Sequence, residues 1–262
     1  MNLDLTGKTA LVTGSTAGIG FAIAQGLAAA GAAIWVNGRT QARVDAALAQ
    51  IRSAIPDAAV NGIAADLATA EGAKSVTTAL PAVDILVNNL GGIGTAFKPF
   101  EELADADWHS IFELNVVSGV RVTRHYLPAM RARNWGRIVF VSSESGVQIP
   151  AEFVHYGVVK AGEIALARGI AQGLRGTGVT VNSILPGPTS SEAFERIAAR
   201  QGRSMAEVAA EWIEKSRPTS LIQRFTTPEE VANMAVYLCT EAASGTHGAS
   251  LRVDGGVIMS AF

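Results

Sequence analysis

Short apolar runs alternate with longer stretches of helical spacing along the chain. Thr9-Ala10-Leu11-Val12-Thr13 reads as a buried strand, and Ile19 to Ala30 as an Ala-rich helix. Ala33 to Asn37 predicts a second strand, followed by a helix from about Gln41 to Ile55. Val60 to Ala65 is the third strand, with a short helix near Ala70 to Leu80, and Val83 to Asn88 the fourth. A long helix is expected over about Asp107 to Arg131, then a strand over Arg137 to Ser142 and a second long helix over about Phe153 to Arg175. Val179 to Leu185 and Ser250 to Val253 complete the strands. Runs this apolar, without alternation, are buried on both faces, as in a parallel sheet. Their repetition through right-handed crossovers predicts an α/β fold, a doubly wound parallel sheet of about seven strands with helices on both faces.

The pattern changes between Thr189 and about Ser220. Charges (Glu192, Glu195, Arg196, Arg200, Arg203) interleave with spaced apolar residues (Phe194, Ile197, Trp212, Ile213). This stretch, residues 189–220, reads as a helical lid. Thr227-Pro228-Glu229-Glu230 is a helix start, with Thr as cap, Pro at the first position and acids in the first turn. No repeat or linker interrupts the chain, so one domain over residues 1–262 is expected.

Composition narrows the function classes. Hydrophobic residues make up 48% of the 262 and charged residues 17%, which excludes a disordered chain. With 21 basic and 23 acidic residues there is no global basic excess to suggest nucleic acid as a partner. The one cysteine, Cys239, excludes an intrachain disulfide and reads as a small core residue. His109, His125, His155 and His247 are scattered without metal-ligand spacing, so no metal is expected. No run reaches the roughly 18 apolar residues of a membrane span, and the N-terminal run to Lys8 has no signal pattern. Together with the lone thiol, this predicts a cytoplasmic protein without a membrane partner. The basic run Arg131, Arg133 and Arg137, beside Trp135, reads as a solvated helix end.

Thr13-Gly14-Ser15-Thr16-Ala17-Gly18-Ile19-Gly20 lies directly between the first strand and the first helix. Glycines there let backbone approach a pyrophosphate, and the helix start offers free N–H groups and the positive end of a dipole. Gly14, Ser15, Thr16, Gly18, Ile19 and Gly20 are therefore candidate dinucleotide contacts. Gly7-Lys8-Thr9 resembles the end of a nucleoside-triphosphate loop but lacks the preceding strand and glycine. There is no Gly-x-Ser-x-Gly elbow, which disfavours a serine hydrolase.

The spacing Thr-Gly-x-x-x-Gly-x-Gly resembles that of the short-chain dehydrogenase/reductase family. The resemblance extends through Asn88-Asn89-Leu90-Gly91, Asn115, Ser143, Tyr156-x-x-x-Lys160 and Pro186-Gly187, in the family's order and over nearly the whole length. Within the family the chain is similar to members grouped with the 3-oxoacyl-[acyl-carrier-protein] reductases. The resemblance implies a Rossmann-like fold, a homotetramer and catalytic residues Asn115, Ser143, Tyr156 and Lys160. It places Asp66 and Leu67 near the adenine, Asn88 under the adenosine ribose, Gly91, Tyr156 and Lys160 at the nicotinamide ribose, and Pro186, Gly187 and Thr189 beside the nicotinamide. Asp66 reads equally well as a helix cap before Leu67, and Asn88 as a strand-end cap. Asn115 would interrupt its helix and hold a water linked to the lysine.

An acid ending the second strand would favour NAD by bonding a ribose hydroxyl. No Asp or Glu occurs between Asp4 and Asp45; Gly38 stands in that place, Arg39 follows, and Arg43 lies a turn on. A guanidinium suits a 2′-phosphate, so the expected cofactor is NADP(H). Tyr156 and Lys160, four apart on a helix, share one face. A lysine about 5 Å from the phenol, at an effective dielectric near 20, stabilises the phenolate by roughly 3 kcal/mol, about two pKa units. The phenol is then expected to exchange protons near neutral pH. Ser143 would polarise the substrate oxygen; the adjacent Ser142 points to the opposite face of the strand and competes for the role.

The expected reaction interconverts a ketone or aldehyde and an alcohol. The expected pocket wall combines Ile93, Glu144, Ile149, Phe153, Phe194 and Trp212, suiting an apolar body such as a 3-oxoacyl group. An acidic acyl-carrier protein would need a basic patch, for which Arg121, Arg124, Arg168 and Arg175 are available. An NAD-dependent sugar or alcohol dehydrogenase and a non-catalytic dinucleotide-binding regulator are the competing readings.

Overall fold

The structure, a computed structural model, describes residues 2–94 and 98–261. In chain order the elements are β1 (Thr9–Val12), α1 (Gly18–Ala29), β2 (Ala33–Gly38), α2 (Gln41–Ala54), β3 (Val60–Ala64), α3 (Ala70–Ala79) and β4 (Ile85–Asn88). Then come α4 (Asp105–Phe112), a π-turn (Glu113–Val117), α5 (Ser118–Ala132), β5 (Gly136–Val141), α6 (Val154–Gln172) and β6 (Val179–Pro186). The rest are α7 (Glu192–Gln201), α8 (Met205–Ser216), α9 (Pro228–Cys239) and β7 (Ser250–Val253).

All seven strands run parallel in the order β3-β2-β1-β4-β5-β6-β7. Every residue of β4, β5 and β6 is buried, which explains their unbroken apolar character. Each sheet face carries its own core. One packs α1, α2 and α9 through Ile23, Leu27, Val44, Leu48, Val231 and Leu238. The other packs α3, α5 and α6 through Val76, Val122, Tyr126, Met130, Ala167 and Ala171. The strand order reverses between β1 and β4, and ligands of open α/β sheets enter the crevice at such a switch, beyond the carboxyl ends of the strands.

Two expectations need correction. The helix predicted from Asp107 to Arg131 is not continuous: five residues around Asn115 form a π-turn. Asn115 Nδ2 donates to the Ile111 carbonyl at 2.9 Å, satisfying a group that the changed backbone bonding leaves open. Of the basic run, Arg131 and Arg133 are exposed at the end of α5, as expected, but Arg137 is not. Arg137 is 1% exposed, donates to the carbonyls of Gly136, Gly178 and Thr240, and pairs with Glu241. Its position at the start of a fully buried strand carries it inward. Cys239 is fully buried, as expected. Among the described residues no helix is long and apolar enough to cross a membrane.

Candidate active site

The loop between β1 and α1 is held from behind by polar groups inside the sheet. Asn37, at the end of β2, accepts from Gly14 N through Oδ1 and donates to the carbonyls of Ile63 and Ala65. Asn89 donates to the carbonyls of Thr13 and Gly14, both at 3.0 Å. Thr13 Oγ1 accepts from the backbone N–H groups of Asn89 and Leu90. The backbone packs so closely that a Cβ on Gly20 would stand 2.3 Å from Asn89 Nδ2 and 2.5 Å from the Gly14 carbonyl. Gly14 and Gly18 have φ of 61° and 56°, the left-handed region that glycine tolerates. At the start of α1, Ala17 provides no side-chain cap and the first turn holds no acid. Helix-end N–H groups without a protein cap fit a pyrophosphate.

Two clefts meet at this loop, sharing Gly14 and Ala17. The outer one, about 510 Å³, runs past Thr16, Arg39, Thr40 and Arg43 on one side and Asp66, Leu67 and Leu90 on the other. Arg39 is exposed at its rim, and Gly38 sends no side chain into it. A Cβ on Gly38 would meet Thr16 Cγ2 at 2.4 Å, so an acid there would have to displace Thr16. Asp66 does not cap α3: Thr69 does, accepting from Gly72 N, while Asp66 bonds Ala68 N and faces the cleft. The inner cleft, about 310 Å³, is lined by Ile19, Gly20, Gly91, Gly92, Ser142, Tyr156, Lys160 and Thr189.

Two expected contacts are turned elsewhere. Ser15 commits both polar groups inward: its N–H to the Asn37 carbonyl and its hydroxyl to the Val12 carbonyl, while the hydroxyl also accepts from Asn37 N. Asn88 faces α5, donating to Thr123 Oγ1 at 3.0 Å, with its buried Oδ1 left without a partner. It neither caps its strand nor lines either cleft; Asn89, one residue on, braces the loop. Pro186 ends the buried β6, and Gly187 packs against Asp254. Thr189 lines the inner cleft and bonds the Gly187 carbonyl and Thr226.

Of the four expected catalytic residues, Tyr156 and Lys160 line the inner cleft, and Ser143 and Asn115 stand next to them. Lys160 Nζ lies 5.7 Å from the Tyr156 ring centre and donates to the Val141 carbonyl at 3.2 Å. Asn115 Oδ1 accepts from Gly92 N, and its Nδ2 donates to the Gly92 carbonyl. A Cβ on Gly91 would stand 2.6 Å from Asn115 Oδ1 and 2.9 Å from Lys160 Nζ, so both polar groups face one point beside Gly91. Ser143, not Ser142, hydrogen bonds Tyr156; Ser142 turns to the Lys160 carbonyl at 2.8 Å. His155 lies on another face of the helix, fully buried against Trp108.

Two charged side chains here, Arg217 and Glu163, were not read from the sequence as site residues, and a third, Glu144, has a different role from the one expected. Glu144, expected in the pocket wall, is buried, accepts the Ser143 hydroxyl proton and pairs with Arg217 Nε at 2.8 Å. Glu163, next on the Lys160 face of α6, is 2% exposed and accepts from Lys160 Nζ through both oxygens. Phe194 and Trp212 do not form the pocket wall; they cluster with Phe225 beneath α7 and α8. Ile149 is exposed.

These neighbours change the expected electrostatics. Exclusion of water pushes the Tyr156 phenol above its usual range. Lys160 and Ser143 pull it down, and Glu144 and Glu163 push it up. Lysine alone does not decide it. Burial opposes the Lys160 charge, but Glu163 and Tyr156 more than offset that and hold the ammonium above its usual range. Burial pushes the Glu163 carboxyl up to about 7, against the pull of Lys160 and a Ser142 hydrogen bond.

Comparisons with known proteins agree with this geometry. Residues 14–258 match a family model described as enoyl-(acyl carrier protein) reductase. An uncharacterized oxidoreductase, YvrD, of Bacillus subtilis is 42% identical over 99% of this chain and 100% of its own. The 3-oxoacyl-[acyl-carrier-protein] reductase FabG of Aquifex aeolicus is 33% identical over 98% of this chain and 100% of its own. The crystal structure of L-sorbose reductase from Gluconobacter frateurii, complexed with NADPH and L-sorbose, superposes with a TM-score of 0.89. It is 32% identical and covers 99% of this chain and 100% of that one.

Proposed function

Because this chain belongs to the short-chain dehydrogenase/reductase family, as a 3-oxoacyl-[acyl-carrier-protein] reductase-like oxidoreductase, we propose that it interconverts a ketone or aldehyde and an alcohol with NADP(H). The observation that carries the reading is the meeting of Ser143, Tyr156, Lys160 and Asn115 at the inner end of a cleft whose outer rim bears Arg39. A serine and a tyrosine hydroxyl side by side suit a carbonyl oxygen, which gains negative charge as it is reduced.

The residues present fit the cofactor. Thr16, Gly18, Ile19 and Gly20 would hold the pyrophosphate, with Gly14 shaping the turn. Arg39 would hold a 2′-phosphate, and Asp66 and Leu67 the adenine end. Gly91, Tyr156 and Lys160 would hold the nicotinamide ribose, with Pro186, Gly187 and Thr189 at the nicotinamide. When bound, NADPH supplies the hydride. Tyr156 holds a proton at its phenol oxygen for the substrate oxygen. Lys160 stabilises the phenolate left behind, with Asn115 Oδ1 on the same side of Gly91 as the ammonium. Ser143 must turn its O–H from Glu144 toward the substrate oxygen, so Glu144 competes with substrate for that proton.

The basic groups offered for carrier-protein docking are not gathered at this end. Arg121 reaches the Ala68 carbonyl and, with Lys74 and Arg124, lines a separate cleft beside the Asp66 end. That supports a free small molecule as substrate. The proposal covers one domain over residues 1–262, with α7 and α8 as a lid, in a cytoplasmic homotetramer.

The test follows NADPH absorbance with a short ketone, an aldehyde, a ketose, a 3-oxoacyl thioester and an enoyl thioester. Turnover of at least one carbonyl is expected, with loss of about 100- to 10,000-fold in Tyr156→Phe while NADPH still binds. Reduction of the enoyl thioester alone, or full activity in Tyr156→Phe, would overturn the reading.

A further inference from the structure

We propose that Glu163 is an ionisable positioning residue that sets the acidity of Tyr156 through Lys160. The inference rests on the reading of Tyr156 and Lys160 as the proton-handling pair. Residues 156, 160 and 163 fall on one face of α6, at spacings of four and three. Lys160 Nζ meets Glu163 Oε1 at 3.1 Å and Oε2 at 2.9 Å, and the Val141 carbonyl at 3.2 Å. A carboxylate sealed against a parallel sheet is costly unless paired, and here its partner is the ammonium that faces Tyr156.

Of the elements packed on α6, the turn after β5 brings one further charge to bear on Tyr156: Glu144, which also pushes the phenol up. Just past β5, the uncharged Ser142 donates to the Lys160 carbonyl, and Arg137 of β5 pairs with Glu241. β6 holds no charged side chain. In the π-turn, Glu113 pairs with Arg121. In the turn after β5, Glu144 pairs with Arg217. On α4, Asp107 pairs with Lys98, Asp105 stands in the first turn and His109 in the last. Glu152, before α6, is exposed, and His155 faces Trp108. Among the described residues Lys160 is the charged side chain that touches Glu163.

An ammonium stabilises a phenolate only as far as its charge is felt. With Glu163 ionised, the pair is neutral overall and Tyr156 holds its proton. With Glu163 protonated, the ammonium no longer has a carboxylate beside it and Tyr156 becomes the stronger acid. Proton gain at Glu163 and proton loss at Tyr156 therefore favour one another. Burial pushes the Glu163 carboxyl up to about 7 while the Tyr156 phenol is held above its usual range, so Glu163 changes charge near neutral pH with Tyr156 still protonated.

The experiment uses the cofactor-free protein and needs no turnover. Ultraviolet tyrosinate absorbance, with Tyr156→Phe subtracted, reads Tyr156 against pH; infrared difference spectra read the protonated carboxyl. Glu163→Gln is expected to lower the Tyr156 transition by about one pH unit. The wild-type carboxyl band should vanish as pH rises through about 7 and be missing from Glu163→Gln. In a Lys160→Met background the same substitution should move Tyr156 by clearly less. Superimposable or upward-shifted curves, an equal shift without Lys160, or no wild-type carboxyl band near neutrality would each overturn the proposal. Should Glu163→Gln fail to fold, the wild-type band alone decides. Loss here leaves the oxidoreductase reading standing, and a failed substrate panel leaves these titrations readable.

Discussion

A single methyl group added at Gly91 would fall between Asn115 Oδ1 and Lys160 Nζ. Gly91→Ala is expected to lower kcat by about 100-fold, because a displacement of about 1 Å at a reacting site costs that much. Its Tm should change little, which thermal unfolding would show. Arg39→Ala should cut kcat/KM for NADPH by about 10- to 100-fold, the worth of a charge-assisted hydrogen bond, and leave NADH unaffected. Tyr156, Lys160 and Arg39 were legible in the sequence because their chemistry lies in local spacing. Ser15 and Asn88 were misplaced because motif spacing carries no information about side-chain direction. Glu163 had a readable signal, a carboxylate three residues beyond Lys160 on a helix facing the sheet. The Glu144–Arg217 pair had none, since its partners lie far apart in sequence and meet only in the fold.

At the scale of elements, the strands and most helices were legible because burial on both faces leaves apolar runs. The π-turn was not: one extra residue in a turn barely disturbs apolar spacing over a long helix. The aromatic residues of α7 and α8 were readable as apolar but not as self-packing, since Phe225 completes their cluster from beyond the segment. Thr227 accepts from Glu230 N, and Glu230 bonds Thr227 N in return, so the predicted start of α9 stands. Thr227→Ala should cost about 1 kcal/mol in urea unfolding. Arg217→Ala should cost more, about 3–5 kcal/mol, because it strands a buried carboxylate. Arg217→Met combined with Glu144→Gln is expected to recover most of that loss.

Over the whole molecule, the Lys160–Glu163 pair makes stability depend on pH. The Glu163 carboxyl ionises near 4.5 when unfolded and near about 7 when folded. Between those values the folded protein keeps a proton that the unfolded chain has released. The contribution of this group therefore falls as pH rises from 4.5 to about 7 and is level above. Urea midpoints at roughly pH 5 and roughly pH 8 should show wild type losing ground to Glu163→Gln at the higher value. A constant difference would contradict this. The sheet order and its switch between β1 and β4 explain why two distant groups of residues, around Arg39 and around Tyr156, belong to one trough.

The α7–α8 hairpin is fastened unequally. Its rear is rooted in the β5 end through the buried Arg217–Glu144 pair, while Glu192 at its front meets Arg43 only across 3.8 Å, both side chains being more than half exposed. A hairpin so hung is held more firmly at its root than at its front, where Arg43 lines the outer cleft, so amide hydrogen exchange is expected to be faster in α7 than at the end of α8.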